Sequence, residues 1–155
     1  MTMNRAAALG GALTLAALPA AADEGRWVGH GSAVVFSAPD EETEPVISIA
    51  CRDGSLVLDM PDVALHAGAA SSGELLMSIR TNGRTERFSV SAEVEFSDYV
   101  GGYTPRLVFQ ASAEWFGQFL GGDMMNVDAD GRPLLKGVSL QGVRRLASRH
   151  LAPCI

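Results

Sequence analysis

Lysine is nearly absent from this chain of 155 residues: Lys136 stands alone, and arginine supplies the rest of the 12 basic side chains. They face 18 acidic ones, so the formal charge is −6, which repels phosphate backbones and makes nucleic acid a poor partner. The arginine bias is read as genome composition and carries no function. Cysteine is scarce as well, at two residues, and these form no C-x-x-C pair. No G-x-S-x-G elbow, H-E-x-x-H helix, phosphate loop or dinucleotide fingerprint occurs, so nothing in the motifs points to an enzyme. After the opening residues no apolar stretch approaches the roughly 20 needed to cross a bilayer.

What is present begins at the first residue. Met1 to Arg5 gives a basic start, Ala6–Leu18 carries no charge, and Pro19-Ala-Ala-Ala22 ends in an A-x-A pattern. These are the three parts of a secretory leader, with cleavage expected after Ala22 and Asp23 as the new N-terminus. No cysteine adjoins the cleavage point to accept lipid, and a single arginine before the apolar run does not suggest the twin-arginine route. Residues 23–155 then form one domain, large enough to bury a core and one charge unit more negative without Arg5.

In an oxidising compartment an even cysteine count reads as a bridge, here Cys51–Cys154, closing a loop of about 100 residues. Most of the pattern is short strands separated by turn signals. Arg26–Phe36 reads as a first strand, despite Gly29 and Gly31. Pro39-Asp-Glu-Glu-Thr-Glu-Pro45 reads as a solvated acidic loop, with a cation site as its minor alternative. Val46–Cys51 and Leu56–Met60 flank Asp53-Gly54, and Leu75–Arg80 and Thr85–Val90 flank Asn82-Gly83, both favoured hairpin pairs. Glu93-Val-Glu-Phe96 alternates as a half-buried strand or extended loop does. Gly101-Gly102-Tyr103-Thr104-Pro105 breaks the pattern, and Arg106–Ala111 resumes it.

Ser112 is the expected cap of a short helix, Ala113–Leu120, with Trp115, Phe116, Phe119 and Leu120 as its apolar stripe. A third hairpin follows, Met124–Asp128 and Leu134–Val138 about Ala129-Asp-Gly131. A final helix is expected from an N-cap at Ser139, with Leu140, Val143, Leu146, Ala147 and Leu151 on one face. The predicted architecture is α+β: an antiparallel β-sheet or small sandwich of hairpins, with the C-terminal helix packed on it and clamped by the disulfide.

Candidate chemistry is thin. Asn126-Val-Asp128-Ala-Asp130-Gly131 opens like a calcium loop, but its twelfth position is Gly137 instead of a bidentate glutamate, so a plain hairpin is the preferred reading. His30, His66 and His150 are far apart and show no metal-ligand spacing. His30 sits between glycines where it could face a ligand, His66 reads as a strand end, and His150 lies beside the apolar helix face. Gly101-Gly102-Tyr103 reads as a turn, with a contact loop as the alternative. No catalytic residue, cofactor or metal ligand is assigned.

Trp27, Ile47-Ser-Ile-Ala-Cys51-Arg-Asp-Gly-Ser-Leu-Val-Leu58, Met77-Ser-Ile-Arg80 and Val138-Ser-Leu-Gln-Gly-Val143 leading to Cys154 resemble the type VI secretion-associated TagO/VasI proteins. The resemblance covers roughly Val46 to Cys154. It implies an exported single domain, with one cysteine after an early strand and another closing the final helix, and it brings no catalytic residues. The family's threonine-rich strand before the last helix is replaced here by Gly131-Arg-Pro-Leu-Leu-Lys136. The expectation is a non-enzymatic periplasmic accessory or binding protein whose partner is another envelope protein, linked to a cell-envelope or type VI secretion assembly. Two alternatives stand beside it. One is a secreted inhibitor of an envelope hydrolase, since the Cys51-Arg-Asp-Gly-Ser-Leu56 hairpin resembles that of small membrane-anchored lysozyme inhibitors. The other is a small hydrolase using His30 or His66.

Overall fold

The structure, a computed structural model, describes residues 25–37 and 46–155. The leader and the acidic loop Pro39–Pro45 lie outside the described residues. Among the described residues ten strands form two antiparallel sheets, and three helices accompany them. The first sheet holds β1 (Arg26–His30), β2 (Ala33–Ser37), β3 (Ile47–Arg52), β4 (Ser55–Asp59), β7 (Glu93–Ser97) and β8 (Gly102–Phe109), in the order β1-β2-β3-β4-β8-β7. The second holds β5 (Glu74–Thr81), β6 (Arg84–Ser91), β9 (Met124–Ala129) and β10 (Arg132–Ser139), in the order β10-β9-β5-β6. The helices are α1 (Ala67–Ser72), α2 (Glu114–Gly121) and α3 (Val143–His150), and a short 3-10 turn over Ala152–Cys154 follows α3.

Turn chemistry explains the hairpins. Asp53-Gly54, Asn82-Gly83 and Asp130-Gly131 each put two successive residues at positive φ (49° and 79°, 50° and 78°, 48° and 70°). That is the primed turn whose twist matches paired strands. The stretch Arg26–Phe36, expected as one strand, is instead a hairpin. Gly31 adopts a φ of 58° and reverses the chain, so Trp27 lies opposite Phe36. Strand β8 begins earlier than expected, running straight through Tyr103-Thr104-Pro105. Pro105 is tolerated because β4 pairs only as far as Arg106, leaving no neighbour there that needs the missing N–H.

Alternation then sets the faces. Across the first sheet Val34, Ile49, Leu58 and Leu107 stand in one row, and across the second Ile79, Met125 and Val138 do the same. Both rows are buried in one shared core, each such side chain worth about 1.5–3 kcal/mol of burial. The chain passes from the second sheet to the first at Ala92, whose N–H donates to the Gly73 carbonyl at 2.7 Å.

The helices close this core. Trp115, Phe116 and Phe119 of α2 are buried, and Phe119 meets Trp27 edge-on at 5.7 Å between ring centroids. Ser112 does not cap α2: the N-cap is Ala113, without a side-chain bond. Helix α3 likewise starts later than expected. Ser139 ends β10, and Gly142 at φ 82° is the cap, so buried Leu140 belongs to the connecting turn. Val143, Ala147 and Leu151 still bury the expected face. Arg144 Nε donates to the Leu120 carbonyl at 3.2 Å, so α3 satisfies an orphan acceptor at the end of α2.

The clamp anticipated from the cysteines is present. Cys51 on β3 is bonded to Cys154, 103 residues later, with their Cα atoms 5.7 Å apart. His150, in the last turn of α3, places its Nδ1 2.9 Å from the Gly31 carbonyl. A carbonyl only accepts, so Nδ1 carries the proton. The imidazole lies against Gly29, where a Cβ has no room.

Candidate functional site

The sequence-derived candidates do not assemble into one site. His150 is occupied in docking α3 onto the β1–β2 hairpin. His66 is no strand end but the N-cap of α1, its Nδ1 accepting from the Ala69 N–H at 3.1 Å. Its other ring nitrogen, Nε2, is buried and has no hydrogen-bond partner among the described residues. His30 is exposed at the end of β1. Asn126 and Asp128 project from the outer face of strand β9, and Asn126 Oδ1 accepts the Gly137 N–H at 2.7 Å where β10 bulges. Asp130 sits in the turn beside Gly68. The calcium-like segment is therefore a hairpin with its side chains divided between strand and turn. Among the described residues no group of three or more His, Cys, Asp or Glu side chains is placed to hold a metal ion. The Arg52–Ser55 segment is the tight β3–β4 turn next to the disulfide.

A different region stands out by what it exposes. Among the described residues the exposed aromatics are Phe96, Tyr99 and Tyr103, at 60, 72 and 48 %. All three belong to the β7–β8 hairpin or its tip, and the two tyrosines are the only ones in the chain. Phe96 and Tyr103 face each other in register and meet edge-on at 5.5 Å. They continue the core-facing row of the sheet, which includes Pro105 and Val94, past the point where the core covers it. Leu65 braces this end from the side as an isolated antiparallel bridge, its N–H donating to the Tyr103 carbonyl at 2.7 Å.

Beside the tip lies a cleft of about 420 Å³ whose wall includes Met60, Pro61, Phe96 and Tyr99. Its floor is an ion network on the outer face of the sheet. Arg106 on β8 donates from Nε to Asp59 at 2.6 Å and from Nη1 to Glu95 at 2.7 Å. Arg52 approaches the other Asp59 oxygen at 3.5 Å. The pairs follow from strand order, since β4, β8 and β7 are neighbours and Asp59 is opposite Arg106. The hydrogen bond to Asp59, with the nearby charges of Asp59, Glu95 and Glu93, holds the Arg106 guanidinium above its ordinary pKa against a smaller opposing effect of burial. Arg106 is therefore a fixed, fully charged strut.

Comparison with protein-family models, curated proteins and solved structures returned no match. The hairpin tip thus stands on its geometry alone. The sequence singles out Tyr103 in its Gly-flanked segment but not Tyr99, and its alternation places Phe96 in a half-buried strand or extended loop. The two clues available were the pairing of both tyrosines within five residues and the glycine at 101 between them.

Proposed function

We propose that this chain is an exported, non-catalytic accessory protein that docks on another envelope protein through the aromatic tip of the β7–β8 hairpin. The observation that carries this reading is the convergence of the exposed aromatic side chains on one hairpin, while the remaining aromatics are buried or half-buried. Exposed aromatics rimmed by polar groups are characteristic of protein-contact surfaces, where tyrosine supplies large area at small entropic cost. The Cys51–Cys154 bond fits an oxidising compartment, and no helix of the described residues is long and apolar enough to span a membrane. The roles of His66 as a helix cap and His150 as a docking group favour structure over catalysis for those two residues. The resemblance to the TagO/VasI proteins supports a cell-envelope or type VI secretion assembly as the setting.

The test is capture from periplasmic extract with the disulfide-intact protein and with a Phe96→Ser/Tyr99→Ala variant. The wild type is expected to retain an envelope component that the variant releases. A wild type that retains no envelope component, or a variant that retains it equally, refutes the reading.

A further inference from the structure

We propose that the cleft beside this tip receives a basic, extended segment of the partner, with a lysine or arginine side chain seated between Tyr99 and Glu95. The inference rests on the tip being a docking surface and supplies the chemistry of what docks there. The cleft offers apolar contact through half-buried Pro61 and the exposed Tyr99 ring, along which the methylene stem of a long basic side chain can lie. Its charge is biased toward carboxylate. Both bonded arms of Arg106 are already committed to Asp59 and Glu95, and Arg52 leans on the same Asp59. Glu93 adds a further negative charge opposite Arg106 in register, and Asp98 another between the cleft residues Ser97 and Tyr99. Three carboxylates, Asp59, Glu95 and Glu93, therefore act on Arg106, and Asp98 lies in the adjoining tip.

Glu95 is half exposed and meets Arg106 through Oε1 alone. Tyr99 presents an exposed ring along the same cleft. A cation is attracted by the face of an aromatic ring and by a carboxylate together, whereas an anion is repelled by both. The acidic balance of the whole chain steers in the same direction at longer range. A metal ion fits less well, because arginines already occupy the carboxylates and no metal-holding cluster exists among the described residues.

The experiment titrates the isotope-labelled, disulfide-bonded protein with the capped peptide Gly-Lys-Gly-Lys-Gly and with Gly-Glu-Gly-Glu-Gly, following backbone amide resonances. The lysine peptide is expected to shift resonances of residues 93–106 saturably, and to weaken about tenfold when salt is raised from low to physiological levels. Glu95→Gln and Tyr99→Ala are each expected to weaken it about fivefold. Glu86→Gln, exposed on β6 of the other sheet, is expected to leave it unchanged. Equal binding of the glutamate peptide overturns the proposal. So does a lysine peptide that does not bind, or one whose effect is spread over the surface and indifferent to Glu95→Gln. Release of the envelope partner by Phe96→Ser/Tyr99→Ala, with no lysine-peptide binding, removes the cation chemistry and leaves docking intact. Peptide binding at Glu95 and Tyr99 with no partner captured removes only the envelope reading.

Discussion

Replacing Gly29 by alanine puts a methyl group where the imidazole of His150 rests against β1. The ring is the end of a flexible side chain, so it can swing into solvent without moving the backbone. The cost is then bounded by what the ring loses, namely the bond to the Gly31 carbonyl and its contact with the strand. Such a bond contributes about 0.5–1.5 kcal/mol, and with the contact the eviction costs about 1.5 kcal/mol. Alanine also returns about 0.5 kcal/mol, because a glycine inside a strand is entropically unfavourable. Gly29→Ala should therefore destabilise by about 1 kcal/mol in the wild type. In a His150→Ala background there is no ring to evict, and the same change should stabilise by about 0.5 kcal/mol. Urea unfolding of the four disulfide-bonded proteins, with unchanged m-values, measures both numbers. A Gly29→Ala effect of equal sign and size in the two backgrounds would show that His150 does not hold this position.

Removing the disulfide with Cys51→Ser/Cys154→Ser opens a 103-residue loop. The chain-entropy ceiling is about 4.7 kcal/mol, and a loss of about 2–4 kcal/mol is expected in urea. Hydrogen exchange should rise first in α3 and the β1–β2 hairpin, and a uniform rise would argue against the clamp. Arg106→Gln should cost only about 0.5–1 kcal/mol, since the network is partly exposed and Asp59 keeps Arg52 nearby. That cost should shrink in high salt. It should also stay flat through neutral pH on the arginine side: a group held above its ordinary pKa contributes fully below that value, and loses its contribution only as pH rises through the elevated one. Thermal midpoints across buffers check both.

Local signals carried much of the architecture. The three x-Gly turns, the cysteine pair and the apolar face of α3 are short-range or compositional features, and each stands where it was expected. Boundaries went astray where a glycine acted against the pattern, at Gly31 and at Gly142. Helix α1 went unseen because Ala-Gly-Ala-Ala-Ser-Ser has no apolar periodicity; it is held by the His66 cap and by Gly73 in the left-handed conformation. The division into two sheets depends on β4 pairing with β8 and β5 with β9, across gaps that no local pattern reports. The candidate site was hidden for a related reason. Phe96 occupies a position that alternation assigns to the core, and only the point at which core coverage stops leaves it exposed.

The order in which partners occur along the chain has a consequence for biogenesis. Trp27 donates its indole N–H to the Ser139 carbonyl at 2.6 Å, and Gly29 and Gly31 await His150. The first hairpin to emerge is therefore completed by segments that emerge more than a hundred residues later. Such long-range dependence slows folding and leaves early segments without their partners while the chain is still being made. A chain whose first hairpin waits for α3 settles late, and Cys51 and Cys154 reach bonding distance only once the strand at one end and the helix at the other have both been made.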